Sequence, residues 1–161
     1  MKTPRRAALV WLPLVLASCV RVRHVPPLPP EAFAARLSLA SSPASVAPRT
    51  RFTVPLVVEN RSPVAWPRTT WTSEGRLLSA SYHWKGEDGS MAVHDGLRTP
   101  LKKALGPGES ARVSLAVEAP SRPGAYVLEV DLVQEGVAWF ADHGSPVVRA
   151  AVRVEGQTVT P

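Results

Sequence analysis

Gly124-Ala125-Tyr126-Val127-Leu128-Glu129-Val130-Asp131-Leu132 places Tyr126, Leu128, Val130 and Leu132 on one parity and the carboxylates Glu129 and Asp131 on the other. A period of two marks a strand with one face turned inward and one outward. The same period recurs on both sides of this stretch. Upstream it runs through Ala35, Leu37 and Leu39, then Phe52, Val54, Leu56 and Val58, then Leu78, Ala80, Tyr82 and Trp84, then Val113, Leu115 and Val117. Downstream it runs through Val148, Ala150, Val152 and Val154, with Arg149 and Arg153 on the opposite face. No stretch after residue 32 carries an apolar stripe of period 3.6. The links Glu87-Asp88-Gly89, Gly106-Pro107-Gly108 and Pro120-Ser121-Arg122-Pro123-Gly124 have turn chemistry. Short strands, turn-rich links and no helices predict an all-β protein, a β-sandwich of about seven strands. Pro55 falls inside the second strand pattern and cannot donate to a ladder, so the strand is expected to be at an edge there or to bulge.

The N-terminus has different chemistry. Lys2, Arg5 and Arg6 precede an apolar run from Ala7 to Leu16, and small residues then lead to Cys19, the one cysteine of the chain. That layout predicts a removable export signal over residues 1–18. A membrane-spanning helix needs about 20 apolar residues, and here Arg21 and Arg23 cut the run short. A buried structural cysteine is the plain alternative for Cys19, and the flanking pattern argues against it. Residues 19–32 then form a tether whose Pro26-Pro27-Leu28-Pro29-Pro30 run is expected to be extended and semi-rigid. Residues 33–155 form one domain, long enough for a single core. Residues 156–161 are expected to be a frayed tail.

Leu16-Ala17-Ser18-Cys19 resembles the lipobox of bacterial lipoproteins. The resemblance implies that Cys19 becomes the acylated first residue of an extracytoplasmic protein held to a membrane by its lipid. Several acyl chains together hold firmly, at about 0.8 kcal/mol for each buried methylene. Val20 follows the cysteine, where an aspartate would favour inner-membrane retention in many diderm bacteria, so the outer membrane is the expected address. Lipidation would leave no thiol for a disulfide, and the fold must rest on its core.

Pro123-Gly124-Ala125-Tyr126-Val127-Leu128, after Leu105-Gly106-Pro107-Gly108-Glu109, resembles the E–F corner of immunoglobulin-like and fibronectin type III-like domains. There a tyrosine bonds back to the backbone and pins the corner, the role implied for Tyr126. Trp84 falls where strand C of such a domain places its buried tryptophan. Asn60 through Trp66, the Pro-Gly-Glu turn and Ala119-Pro120 also resemble the four-tryptophan group of sandwiches. Ser81-Tyr82-His83-Trp84, Asp95 through Leu101 and Asp131 through Phe140 look like immunoglobulin-like modules appended to bacterial surface-polysaccharide glycosyltransferases. That likeness spans roughly residues 36–154 and implies a fold, since such modules are accessory.

Charge excludes one class of function. The chain carries 19 Lys+Arg against 13 Asp+Glu, and loss of the three leader cations lowers the formal +6 to +3. A nucleic-acid binder needs a concentrated basic face, which this balance does not suggest. Catalysis finds no foothold either. The chain has no Gly-x-Ser-x-Gly elbow, and its cysteine is assigned to the anchor. Glu129 and Asp131 share one strand face, where a solvated surface is the simpler expectation than an acid pair. No cofactor is expected. His83, His94, Asp95, Asp142 and His143 could ligate a metal, but none has tight ligand spacing, and adjacent pairs on a strand point apart. Trp66, Trp71, Trp139 and Phe140 would make a stacking platform if exposed together; the expectation is that they roof one end of the sandwich.

Strands C and F are neighbours in an immunoglobulin-like sheet, with C′ beside C. That order gathers His83, Asp95, Arg98, Gln134, Glu135 and Trp139 near one end of one sheet, with His83 facing away from the core. They are expected to form a hydrogen-bonded cluster, either a brace for the F–G turn or a recognition surface. The expected function is a lipid-anchored, non-enzymatic envelope protein binding a protein partner or a cell-surface glycan. A structural or assembly subunit of an envelope complex is the alternative, and a metal carrier the third.

Overall fold

The alternating segments become strands in the computed structural model, which describes residues 24–68 and 74–156. In chain order they are β1 (His24–Val25), β2 (Ala35–Leu39), β3 (Ser45–Val46), β4 (Arg51–Asn60), β5 (Glu74–Gly75), β6 (Leu78–Gly86), β7 (Met91–Val93), β8 (Thr99–Pro100), β9 (Ser110–Glu118), β10 (Gly124–Gln134), β11 (Ala138–Trp139) and β12 (Val148–Val154). Two single 3₁₀ turns, Pro30–Ala32 and Ala141–His143, are the helical elements among the described residues. One sheet has the order β2-β4-β9; the other has the order β3-β12-β10-β6-β7, extended by β11 on β10 and β8 on β6. In immunoglobulin terms these are A-B-E and A′-G-F-C-C′, and β3 runs parallel to β12 as an A′ strand does along G. The protein is an immunoglobulin-like β-sandwich.

Parity decides what is buried. Leu128, Val130 and Leu132 of β10 face Trp84, Tyr82 and Ala80 of β6 in register and are all buried. Val54, Leu56 and Val58 of β4 close the core from the other sheet with Leu115 and Val117 of β9. Each such side chain contributes about 1.5–3 kcal/mol by leaving water. Trp84 is fully buried and donates its indole N–H to the Glu118 carbonyl at 2.9 Å, which ties the two sheets. The Tyr126 hydroxyl donates to the carbonyl of Arg122 at 3.0 Å, four residues upstream, across the E–F corner.

Pro55 lies in the central strand of its sheet, at the point where the pairing of β4 with β2 ends. Its carbonyl accepts from the Ala40 N–H at 3.0 Å, one residue past the end of β2. Its missing N–H points to the same side, where pairing has just stopped, so the strand is at a local edge and no bulge is needed.

The stretch expected as a free tether is docked over its second half. β1 pairs in parallel with β5, Val25 and Ala32 are buried, and Leu28 packs against the core. Among the described residues the packed body therefore reaches back to residue 24, ahead of the expected boundary at 33. Residues 1–18, Cys19 and Trp71 lie outside the described residues. Among the described residues no helix is long and apolar enough to cross a membrane.

Candidate functional site

The outer face of the β6–β10 pair carries the polar residues out of phase with the core, and a cluster forms where three further segments reach it. Ser81 and His83 come from β6, Glu135 from the residue after β10, and Trp139 from β11, whose pairing with β10 brings it opposite Val133. His94, Asp95 and Arg98 come from the link between β7 and β8. That link lies close against β6 because Gly96 donates to the Tyr82 carbonyl at 3.0 Å. A Cβ at Gly96 would come within 2.6 Å of that carbonyl oxygen, so only glycine fits.

Arg98 is the hub. Its Nε donates to Glu135 at 2.5 Å, Nη1 donates to the Ser81 hydroxyl and the Gly96 carbonyl at 2.8 Å each, and Nη2 donates to Asp95 at 2.9 Å. Its guanidinium also lies 4.8 Å from the centre of the Trp139 ring. A guanidinium has five N–H donors, so this one is nearly spent on its own domain. Arg98 therefore braces the F–G turn through Glu135. Asp95 and His94 have more than half of their side chains exposed. The Arg98 guanidinium beside Asp95 holds its carboxyl below the usual carboxylate range.

His83 faces outward as expected but is covered. Its Nδ1–H donates to the His94 carbonyl, and its ring lies 4.3 Å from Trp139 and 5.1 Å from His94. Burial pulls its imidazole below the ordinary histidine range.

Gln134 does not join this cluster. Its side chain is fully buried and turned to the other side, where Oε1 accepts from the Leu28 N–H at 2.7 Å. Its Nε2 donates to the carbonyls of Pro26 at 2.8 Å and Arg76 at 3.2 Å. Parity explains the correction: Gln134 follows Leu132 on the inward face, so it meets the N-terminal segment under the sandwich, not the solvent-side polar patch.

Glu129 and Asp131 are also placed differently from expectation, being buried where a solvated face was predicted. Lys85 and Arg149 cover Glu129 at 2.8 and 2.6 Å. Burial alone would raise its carboxyl, but the two cations outweigh it and hold the group low. Asp131 pairs with no cation among the described residues. It accepts the N–H groups of Leu132 at 2.7 Å and Ala141 at 3.0 Å, and burial pushes its carboxyl up to about 6. The segment after β11 folds back over Asp131, and the two cations cover Glu129; single-strand parity carries no record of such cover.

The aromatics form a roof at one end of the sandwich. Trp66 and Phe140 are buried, 5.3 Å apart edge to face, and Phe33 stands 5.0 Å from Phe140. The Trp66 indole donates to the Ala32 carbonyl at 2.9 Å. Asn60 holds the same end by donating to the carbonyls of Val64 and Leu105 while accepting from Ser62. The sequence signal for it is Asn60-Arg61-Ser62, an Asx-turn pattern. Trp139 stays half-buried in the Arg98 cluster. His143 stacks on Phe33 at 4.2 Å, whereas His83 and His94 pack against each other and against Trp139. Among the described residues no three His, Cys, Asp or Glu side chains come together as metal ligands.

No family model matches the chain, and no curated protein matches it in sequence. Solved structures resemble it distantly. A β-glucosidase from Listeria innocua, in complex with glucose, is 16% identical over 76% of this chain with a TM-score of 0.47; the match takes in 16% of the enzyme's length. The CARDB domain of a Pyrococcus furiosus protein, in complex with di-metal ions, is 14% identical over 77% of this chain and 93% of its own, with a TM-score of 0.43. An ASH/PapD-like domain of human CEP192 is 14% identical over 98% of this chain and 100% of its own, with a TM-score of 0.34.

Proposed function

We propose that this chain is an envelope lipoprotein, moored through Cys19, whose immunoglobulin-like sandwich binds a partner and performs no chemistry of its own. The observation that supports it most is the gathering of His94, Asp95 and Glu135 around a braced Trp139 on the outer sheet face. Exposed charge beside a rigid, half-buried aromatic is the composition of a recognition patch. A protein partner suits it better than a stacked sugar, because Arg98 and His83 already lie against the Trp139 ring. The lipobox-like Leu16-Ala17-Ser18-Cys19 supports the mooring, and Val20 supports the outer membrane. A subunit of an envelope assembly is the second reading, favoured by the number of bonds that Arg98 spends within its own domain.

Two measurements test this. Intact mass of the native protein should show residues 1–18 removed and Cys19 acylated; an uncut leader with a bare thiol overturns the mooring. Capture of defined envelope proteins and of arrayed glycans should be lost in Asp95→Ala with no change in melting temperature. Arg98→Ala should instead lower the melting temperature. If both variants capture as the parent chain does, the patch is not a recognition surface.

A further inference from the structure

The end of the sandwich that receives the N-terminal segment carries a groove of about 440 Å3, distinct from the Arg98 cluster. Phe33, Ala35 and Pro146 supply apolar surface to it, and Arg36, Arg61 and His143 supply its polar groups. Local structure fixes this wall. The Ser145 hydroxyl accepts from the Ala35 N–H at 2.9 Å and donates to the Ala35 carbonyl at 3.2 Å, joining the start of β2 to the turn before β12. His143 stacks nearly parallel on Phe33, at 14°. Arg36 and Arg61 are both exposed. Glu59 pairs with Arg61 at 2.8 Å and lies across from Arg36, so one carboxylate faces two guanidinium groups and leaves the groove a net cation.

The Gln134 clamp sets how far this end can stand from a lipid on Cys19. Packing begins at residues 24–28, with Leu28 and Pro26 held by Gln134 and Val25 buried. Four residues lie between Cys19 and His24, and the five steps from one Cα to the other, fully extended, reach at most about 17 Å. Phe33 follows Leu28 by five more residues and belongs to the same end of the fold. A long stalk is therefore excluded: the anchored chain must present this end to its bilayer within a few nanometres.

We infer that the Arg36–Arg61–His143 groove is a contact surface for the phosphate headgroups of anionic phospholipids in the membrane that holds the chain, so that the domain lies docked on the bilayer. The inference rests on the proposed mooring. The occupant is chosen by charge complementarity, by the short reach from Cys19, and by an apolar floor that suits the glycerol portion of a headgroup.

The test reads amide exchange in the lipidated full chain reconstituted in phosphatidylglycerol vesicles and, separately, in phosphatidylcholine vesicles. Amides of residues 33–36 and 143–146 should exchange more slowly in the anionic vesicles, and salt should erase the difference. Arg36→Ala and Arg61→Ala should each weaken that protection about fivefold, the effect of one cation near an anionic surface. Both residues are exposed, so an unchanged melting temperature will show that the variants fold. Equal exchange in the two vesicle types overturns the inference. So does protection given equally by dissolved glycerol phosphate, which assigns the groove to a soluble anion. Intact mass separates the two levels: absent acyl groups defeat the mooring, whereas acylated protein without protection defeats the docking alone.

Discussion

Asp131 should contribute more stability to this fold in mild acid than at neutrality. Its carboxyl is buried under the Ala141–His143 turn with two backbone N–H groups and, among the described residues, no cation, and it titrates at about 6 in the folded chain against an ordinary 3.8. A folded value above the unfolded one means that the native state holds the proton more tightly. The contribution is therefore fully present below 3.8 and is lost as pH rises through 6. The whole span corresponds to on the order of 3 kcal/mol, of which about 1 kcal/mol falls between pH 7 and pH 5. His83 acts in the opposite direction, because its folded value is lowered and the unfolded ring gains its proton first as the solution is acidified. The assay must cancel it. Urea denaturation of the parent chain and of Asp131→Asn at pH 7 and pH 5 does so, since both carry His83. The stability difference, parent minus variant, should shift by about 1 kcal/mol in favour of the parent at pH 5. The new amide adds an offset that is the same at both pH values. If the two chains respond to pH in parallel, Asp131 is not the buried acid described here.

Gln134→Ala should release the N-terminal segment: the backbone groups of Pro26, Leu28 and Arg76 lose their partner, at a cost of about 2 kcal/mol or more. Faster amide exchange at Leu28, with β10 unchanged, would show it; unchanged exchange would mean that the β1–β5 pairing holds the segment alone. Tyr126→Phe should cost about 1 kcal/mol in urea denaturation by losing the bond to the Arg122 carbonyl. A null result there would remove the corner's role as a clasp.

Much of the body was legible from alternation alone. Tyr82 and Trp84, Leu128 and Leu132 are inward because their parity says so, and parity is a covalent property of an extended chain. Tyr126 was legible because its turn, Pro120 through Gly124, lies beside it in sequence. The gathering of Arg98 with Asp95, Glu135 and Trp139 was legible once strands C, C′ and F were assigned as neighbours. Gln134 has the inward parity of Leu132, so its direction is legible locally, but the groups that hold it lie 106 and 108 residues away and no local pattern reports them. Glu129 and Asp131 were misassigned because outward is not the same as wet.

What the chain's order of residues determined by itself is the six long strands and their inward faces, both of which depend on neighbours one or two residues apart. What tertiary structure alone decided is which outward residues stay in water. The turn over Asp131, the cations over Glu129 and the proline-rich segment clamped by Gln134 each bring together groups remote in sequence. Burial is a property of the assembled surface, and alternation reports only the direction in which each side chain sets out.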